Sequence, residues 1–144
     1  MPTQATSTDA QLILQLYDLR RESEMRKARA WFAATFSPQT YEDINKTIAG
    51  PAQESAWFRQ VLGYWEMAAS LVNHGALNEE LFFDASGEMW FLLAKIQPFL
   101  QEYREKTNNP NAFKIVEGLA TKTEAGRKRL EHMVKMHEAR RKAS

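Results

Sequence analysis

Apolar residues recur at spacings of three and four along almost the whole chain, and nearly every break in that rhythm carries helix punctuation. Leu12, Ile13, Leu16, Tyr17 and Leu19 open the pattern. With Thr8 or Asp9 as its cap, the spacing predicts a first helix to about Phe36, through a charged middle in which Glu22 and Arg26 stand at the favourable i,i+4 separation. Ser37-Pro38 ends or bends it, because proline disfavours helical backbone at the residue before it. Thr40 and Asp43 form a capping pattern for a short second helix that stops at Gly50-Pro51.

A third helix is predicted from about Gln53 to His74, with Gly75 suited to its left-handed end. Trp57, Phe58, Val61, Leu62, Tyr64, Trp65, Met67, Ala68, Leu71 and Val72 make most of its circumference apolar, which places it in the middle of a bundle. Its thin polar stripe is Arg59, Gly63, Glu66, Ser70 and Asn73. Asn78 caps a fourth helix that runs to about Lys106, with expected kinks at Asp84–Gly87 and Pro98. After the loop Asn108-Asn109-Pro110-Asn111 come a short helix over 112–119 and a last one from Thr123 to about Arg140. No strand-like alternation or internal repeat is present. The fold class is therefore all-α: one helical bundle of five to six helices and no sheet, over residues 9–140. It is preceded by a disordered polar tail (1–8) and followed by a frayed end (141–144).

Composition narrows the chemistry. The chain has 144 residues, enough for one domain with its own core. It has no cysteine, which removes disulfides, thiol catalysis and cysteine-based metal centres. No apolar run reaches the roughly 18 residues of a membrane span, and the polar N-terminus has no signal-peptide pattern, so a cytoplasmic location is expected. Net charge is +1, but residues 1–120 hold 11 basic and 15 acidic side chains, while 121–144 hold 8 basic and 3 acidic. Arg127, Lys128, Arg129, Lys135, Arg140, Arg141 and Lys142 make the last helix a candidate basic surface for nucleic acid or an anionic partner. No base-stacking aromatics accompany them, which disfavours nucleic acid.

Candidate reactive groups are few. Glu66 stands among residues expected to be buried, where a carboxylate needs a partner or a raised pKa. Arg20, Arg21, Arg29 and Arg59 are the expected partners. The functional alternative is an inter-helix pocket with Glu66 as polar anchor, Tyr17, Tyr64 and Trp65 as walls, and His74 nearby. His74 otherwise serves the helix C-terminus. Glu80, Asp84 and Glu88 would line one face of a continuous helix as a solvated acidic stripe. His132 and His137 are five apart, which does not suit a metal-binding face, and both are expected at the surface. Phosphate-binding glycine loops and nucleophile elbows are absent. No metal and no cofactor are expected.

Three segments carry a family resemblance: LYDLRRESEMRKAR (16–29), VLGYWEMAASLVNHGALNEELFFD (61–84) and EMWFLLAKIQPFLQEYRE (88–105). The recurring features are Tyr64-Trp65-Glu66, the stop at His74-Gly75 and the restart Leu77-Asn78-Glu79-Glu80-Leu81. Together they resemble a bacterial family of small all-helical proteins of unknown function. The resemblance implies an all-α domain and supplies no activity, cofactor or catalytic residue. Members often carry an N-terminal membrane segment, where this chain has a polar tail. The resulting expectation is a non-enzymatic interaction module acting on an unknown protein partner or on a second copy of itself. The alternatives are a small-molecule binder or enzyme around Glu66, and an anionic-surface binder using the last helix.

Overall fold

In the computed structural model, residues 4–143 are described. Among them the chain forms nine α-helices and no strand: α1 (Ser7–Arg20), α2 (Ser23–Ala34), α3 (Tyr41–Ala49), α4 (Ala52–Asn73), α5 (Glu79–Ala85), α6 (Gly87–Ile96), α7 (Leu100–Lys106), α8 (Lys114–Ala120) and α9 (Glu124–Ala143). The all-α expectation holds, but five to six helices is too few. Two expected helices are divided, each for a local reason.

The first breaks at Arg21-Glu22. The Glu22 carboxylate accepts from the backbone N–H groups of Glu24 and Met25, at 3.1 and 2.9 Å, and so starts a new helix instead of continuing the old one. These backbone bonds hold its carboxyl below the usual range. The fourth expected helix breaks twice. Ser86 leaves helical geometry at φ −129°, ψ 39°, separating α5 from α6, and a 3₁₀ turn over Gln97–Phe99, containing Pro98, separates α6 from α7. At the N-terminus, Thr6 rather than Thr8 or Asp9 is the cap of α1. Its hydroxyl accepts from Asp9 N–H while Asp9 accepts from Thr6 N–H. Of the expected tail 1–8, Ser7 and Thr8 are thus already helical, residues 4–6 are described outside any helix, and residues 1–3 lie outside the described residues. Gly75 ends α4 in the left-handed region, at φ 78°, as its position in the sequence suggests.

The long apolar helix α4 is the centre of the bundle. It packs against α2, α3 and α8, while α6 forms a second centre against α8 and α9 and α1 lies along α5. Phe58, Leu62 and Trp65 of α4, Phe32 of α2, Phe82 of α5 and Leu92 and Leu93 of α6 are at most 2% exposed. Trp31, Phe32, Phe36 and Phe58 form one cluster with ring centroids 4.8–6.2 Å apart. Each such pair adds about 0.5–1.5 kcal/mol to the burial of the rings. Two buried donors find backbone acceptors: Tyr64 Oη bonds Leu16 O at 2.8 Å, and Trp90 Nε1 bonds Ala120 O at 3.1 Å. The first pins α1 to α4 and the second pins α6 to the end of α8.

Two glycines report the difference between tight and open parts of this packing. A Cβ on Gly126 would stand 2.3 Å from the Ala120 carbonyl oxygen, a backbone atom that cannot step aside, whereas a Cβ on Gly63 would meet nothing. Gly126→Ala is expected to lower unfolding free energy by about 1–3 kcal/mol. Gly63→Ala, at an exposed position of α4 where a Cβ meets nothing, is expected to raise it by about 0.5–1 kcal/mol. Urea denaturation of the two variants checks this, and equal effects would contradict the packing described for the α8–α9 junction.

Candidate functional site: a cationic pocket between α2, α6 and α9

Three helices meet where α2 ends. Their junction holds Lys95, which sequence reasoning passed over. Lys95 sits in α6 and is 3% exposed. Its ammonium donates to the carbonyl oxygens of Phe32, Ala33 and Phe36, at 2.8, 2.8 and 2.7 Å. The last turn of a helix leaves carbonyls without intrahelical partners and carries the negative end of the dipole. Lys95 supplies one cation with three N–H groups there, and all three are used. Burial, with the nearby charges of Arg140 and Arg141, pulls its pKa down to about 8. At neutral pH it is still mainly an ammonium.

His137 of α9 lies beside it. The surface position expected for this residue is wrong: it is 4% exposed, with its ring edge-on to Phe91 at 4.7 Å. The reason is the register of α9. Leu130, Met133, Val134 and His137 share the face turned to the bundle, while His132 points to solvent. His137 Nε2 is 2.9 Å from Phe91 O. A carbonyl can only accept, so Nε2 carries the hydrogen and Nδ1 of the neutral ring carries a lone pair. Burial pushes the His137 pKa below its ordinary value, and Lys95, Arg140 and Arg141 add to that; the Phe91 bond opposes them.

Lys95 and His137 open onto a pocket of about 390 Å³ that is also lined by Ala33, Ser37, Arg140 and Arg141. Arg141 donates to Pro38 O at 3.0 Å, which holds the end of α9 against the segment after α2. Among the described residues no carboxylate lines the pocket. Glu138 lines an adjoining shallow depression that shares Gln39 and Arg141 with the pocket. The volume lies within the roughly 300–1,000 Å³ common for small-ligand sites.

Of the other candidate residues, Tyr17, Tyr64 and Trp65 meet around Arg20, 5.6 and 5.3 Å from the Tyr17 and Trp65 rings, whereas Glu66 and His74 stand elsewhere. Glu66 is half-buried and accepts from Val116 N–H at 2.6 Å, not from an arginine side chain. Phe113, the residue before α8, has φ 57° and offers no side-chain cap, so Glu66 reaches across from α4 to take that role. Burial raises its pKa, against the Val116 bond and Arg104. Tyr64 and Trp65 are buried on a different side of α4, against α1, where the Arg20 guanidinium lies 5.3 Å from the Trp65 ring. Tyr17 is 49% exposed, and His74 is exposed at the end of α4. Glu66, Tyr17, Tyr64, Trp65 and His74 are not brought together around the pocket described here.

The acidic stripe is likewise interrupted. With the helix broken at Ser86, Glu88 turns to Arg29 and takes a two-pronged ion pair at 2.6 Å, while Glu80 and Asp84 are exposed. The basic residues of α9 divide into two sets. Lys128 and Lys135 pair with Glu124 and Glu131, Arg127 donates to Thr121 O, and Arg129 lies 4.5 Å over the Trp90 ring. Arg140 and Arg141 are the pair that lines the pocket, with Lys142 at the adjoining depression. Among the described residues no His, Asp and Glu side chains form a group that could hold a metal ion, and no helix is long and apolar enough to cross a membrane.

A family described as Domain of unknown function (DUF4760) matches residues 5–123. The chain belongs to this family. No curated protein and no solved structure matches it. The DUF4760 match includes Lys95 and the end of α2, whereas His137, Arg140 and Arg141 follow it, on α9. The pocket is therefore assembled from both parts of the chain.

His137 gives the pocket a measurable signature. The groups facing it are Lys95 from α6 and Arg140 and Arg141 from α9 itself. Its folded pKa is below the model-compound 6.5, so the unfolded chain takes the proton first as pH falls. The stability it contributes is complete above that value and is lost as pH drops through the window beneath it. Thermal or urea unfolding between about pH 7.5 and 5 should show the wild-type chain losing more stability than His137→Phe. Parallel curves would contradict a buried neutral imidazole.

Proposed function

We propose that this DUF4760 chain is a binding module that captures an anionic group in the pocket between α2, α6 and α9. The observation that carries this reading is the convergence of Lys95, His137, Arg140 and Arg141 on one cavity in whose wall no carboxylate stands among the described residues. A low-dielectric wall strengthens the field of such a group, and oriented donors fix the guest. Arg141 uses one nitrogen on Pro38 O, and its other N–H groups have no protein partner among the described residues. The division of α9 favours this reading over binding along a nucleic-acid backbone. Lys128 and Lys135 are engaged with acids one turn away, so the helix does not present an unbroken basic stripe.

Isothermal titration with inorganic phosphate at low ionic strength tests the reading. Binding is expected, weakening as salt is added. Arg141→Gln is expected to lower affinity about tenfold, equivalent to about 1.4 kcal/mol. Absence of binding at low salt, or an Arg141→Gln variant that binds as well as wild type, would remove the proposal.

A second reading, self-association, rests on α1. Leu14, Tyr17 and Leu19 are 66%, 49% and 52% exposed, so the helix shows apolar side chains outward as well as inward. Asp9 lies in its first turn, with Arg20 in its last and Arg21 just after it. Two copies of α1 laid antiparallel would bring opposite charges and opposite dipole ends together. Sedimentation equilibrium is expected to show a dimer that Leu14→Lys dissociates; a monomer at high concentration would exclude it.

A further inference from the structure

The same pocket carries information about which anion it takes. The wall is not uniformly made of donors. The imidazole of His137 commits Nε2–H to Phe91 O, at 2.9 Å, and this fixes the tautomer. Its one hydrogen bond to protein, among the described residues, is spent there. His137 lines the pocket, and Nδ1 is the one ring nitrogen that Phe91 O does not occupy. That nitrogen is an acceptor. Around it stand the ammonium of Lys95 and the guanidinium groups of Arg140 and Arg141, which hold donors or positive charge.

A pocket with several positive groups and one acceptor makes a demand that plain negative charge does not meet. Sulfate, fully ionised, offers oxygen lone pairs on every side. It would set one of them against the Nδ1 lone pair and leave that nitrogen without a hydrogen. Hydrogenphosphate offers the same tetrahedral charge with one O–H that can point at Nδ1. We propose, on the basis of the anion-binding reading above, that the pocket is specific for a phosphate group that retains a proton, with His137 as the residue that reads it. Free hydrogenphosphate and the protonated terminus of a phosphate ester share this recognition chemistry.

The mechanism of discrimination is loss of a hydrogen bond rather than size. A site built to accept a ligand O–H rejects the analogue that lacks one, because its own polar atom is left unpaired. The surroundings of His137 are what keep the acceptor available. Phe91 O orients the ring, and the charges of Lys95, Arg140 and Arg141 disfavour a second proton on it. The same positive charges therefore attract the anion and preserve the one group that distinguishes it.

Titration calorimetry of the full chain at neutral pH, with inorganic phosphate, glycerol phosphate and sulfate as separate probes, tests this. Wild type is expected to bind phosphate at least about tenfold more tightly than sulfate, which corresponds to a difference of about 1.4 kcal/mol. In His137→Phe, whose ring keeps the contact with Phe91, phosphate affinity is expected to fall to the level of sulfate while sulfate binding changes little. Should that variant fail to fold, the wild-type preference decides by itself. Sulfate binding as tightly as phosphate overturns the specificity and leaves the anion pocket standing. No binding by any of the three removes both. Glycerol phosphate binding better than inorganic phosphate assigns the group to an ester, and the reverse order assigns it to the free ion.

Discussion

One ammonium group at the end of α2 shapes everything around the pocket. Lys95 Nζ lies within 2.8 Å of three carbonyl oxygens and is removed from water almost completely. A buried charge is costly unless its hydrogen-bonding capacity is met, and here it is met by groups that would otherwise be unpaired themselves. Because those carbonyls lie 59 to 63 residues earlier in the chain, the interaction also fixes how α6 sits against α2. The cleft between these helices is what α9 then covers. Loss of this contact would leave a helix end without partners and a pocket without a floor.

The two buried bases of the pocket are complementary because their protonation differs. Lys95 keeps its proton at neutral pH although burial pulls it to about 8, and His137 gives its second proton up. Each is consistent with its partners: carbonyls around the lysine need a donor, and cations around the histidine resist another charge. Tyr64 offers a contrast within the same core. Burial pushes its pKa to about 12, but its hydroxyl is a neutral donor to Leu16 O and does no more than join helices. Glu66 is also structural in its contacts, holding the start of α8 through Val116.

Much of the fold was legible in the sequence because it is local. Apolar spacing identified α4 and its central place, Ser37-Pro38 and Gly75 marked real ends, and Thr40 with Asp43 is a real capping box. The breaks at Ser86 and Pro98 fall where kinks were expected, at Asp84–Gly87 and Pro98. The break at Glu22 was harder: a helical apolar rhythm runs through it, and the switch depends on a side chain turning back to its own backbone. The site was legible in part: Arg140 and Arg141 belong to the basic surface expected on the last helix. The apolar neighbours that single out Glu66 also surround Lys95 within LLAKIQ, where Leu92, Ala94 and Ile96 are all buried. That signal was available. What no spacing could show is that the α2 carbonyls, distant in sequence, would be its partners. His137 was misplaced because the charges beside it outweighed its register with Leu130 and Val134.

The account stands on the claim that an anion occupies the junction of α2, α6 and α9. Heteronuclear NMR of the full chain during a phosphate titration tests it most directly. Saturable shifts are predicted at the His137 ring and at the backbone amides of Ser37, Gln39 and Arg141, with the region around Glu66 unmoved. Shifts confined to other surfaces, or none at saturating phosphate, would contradict the account.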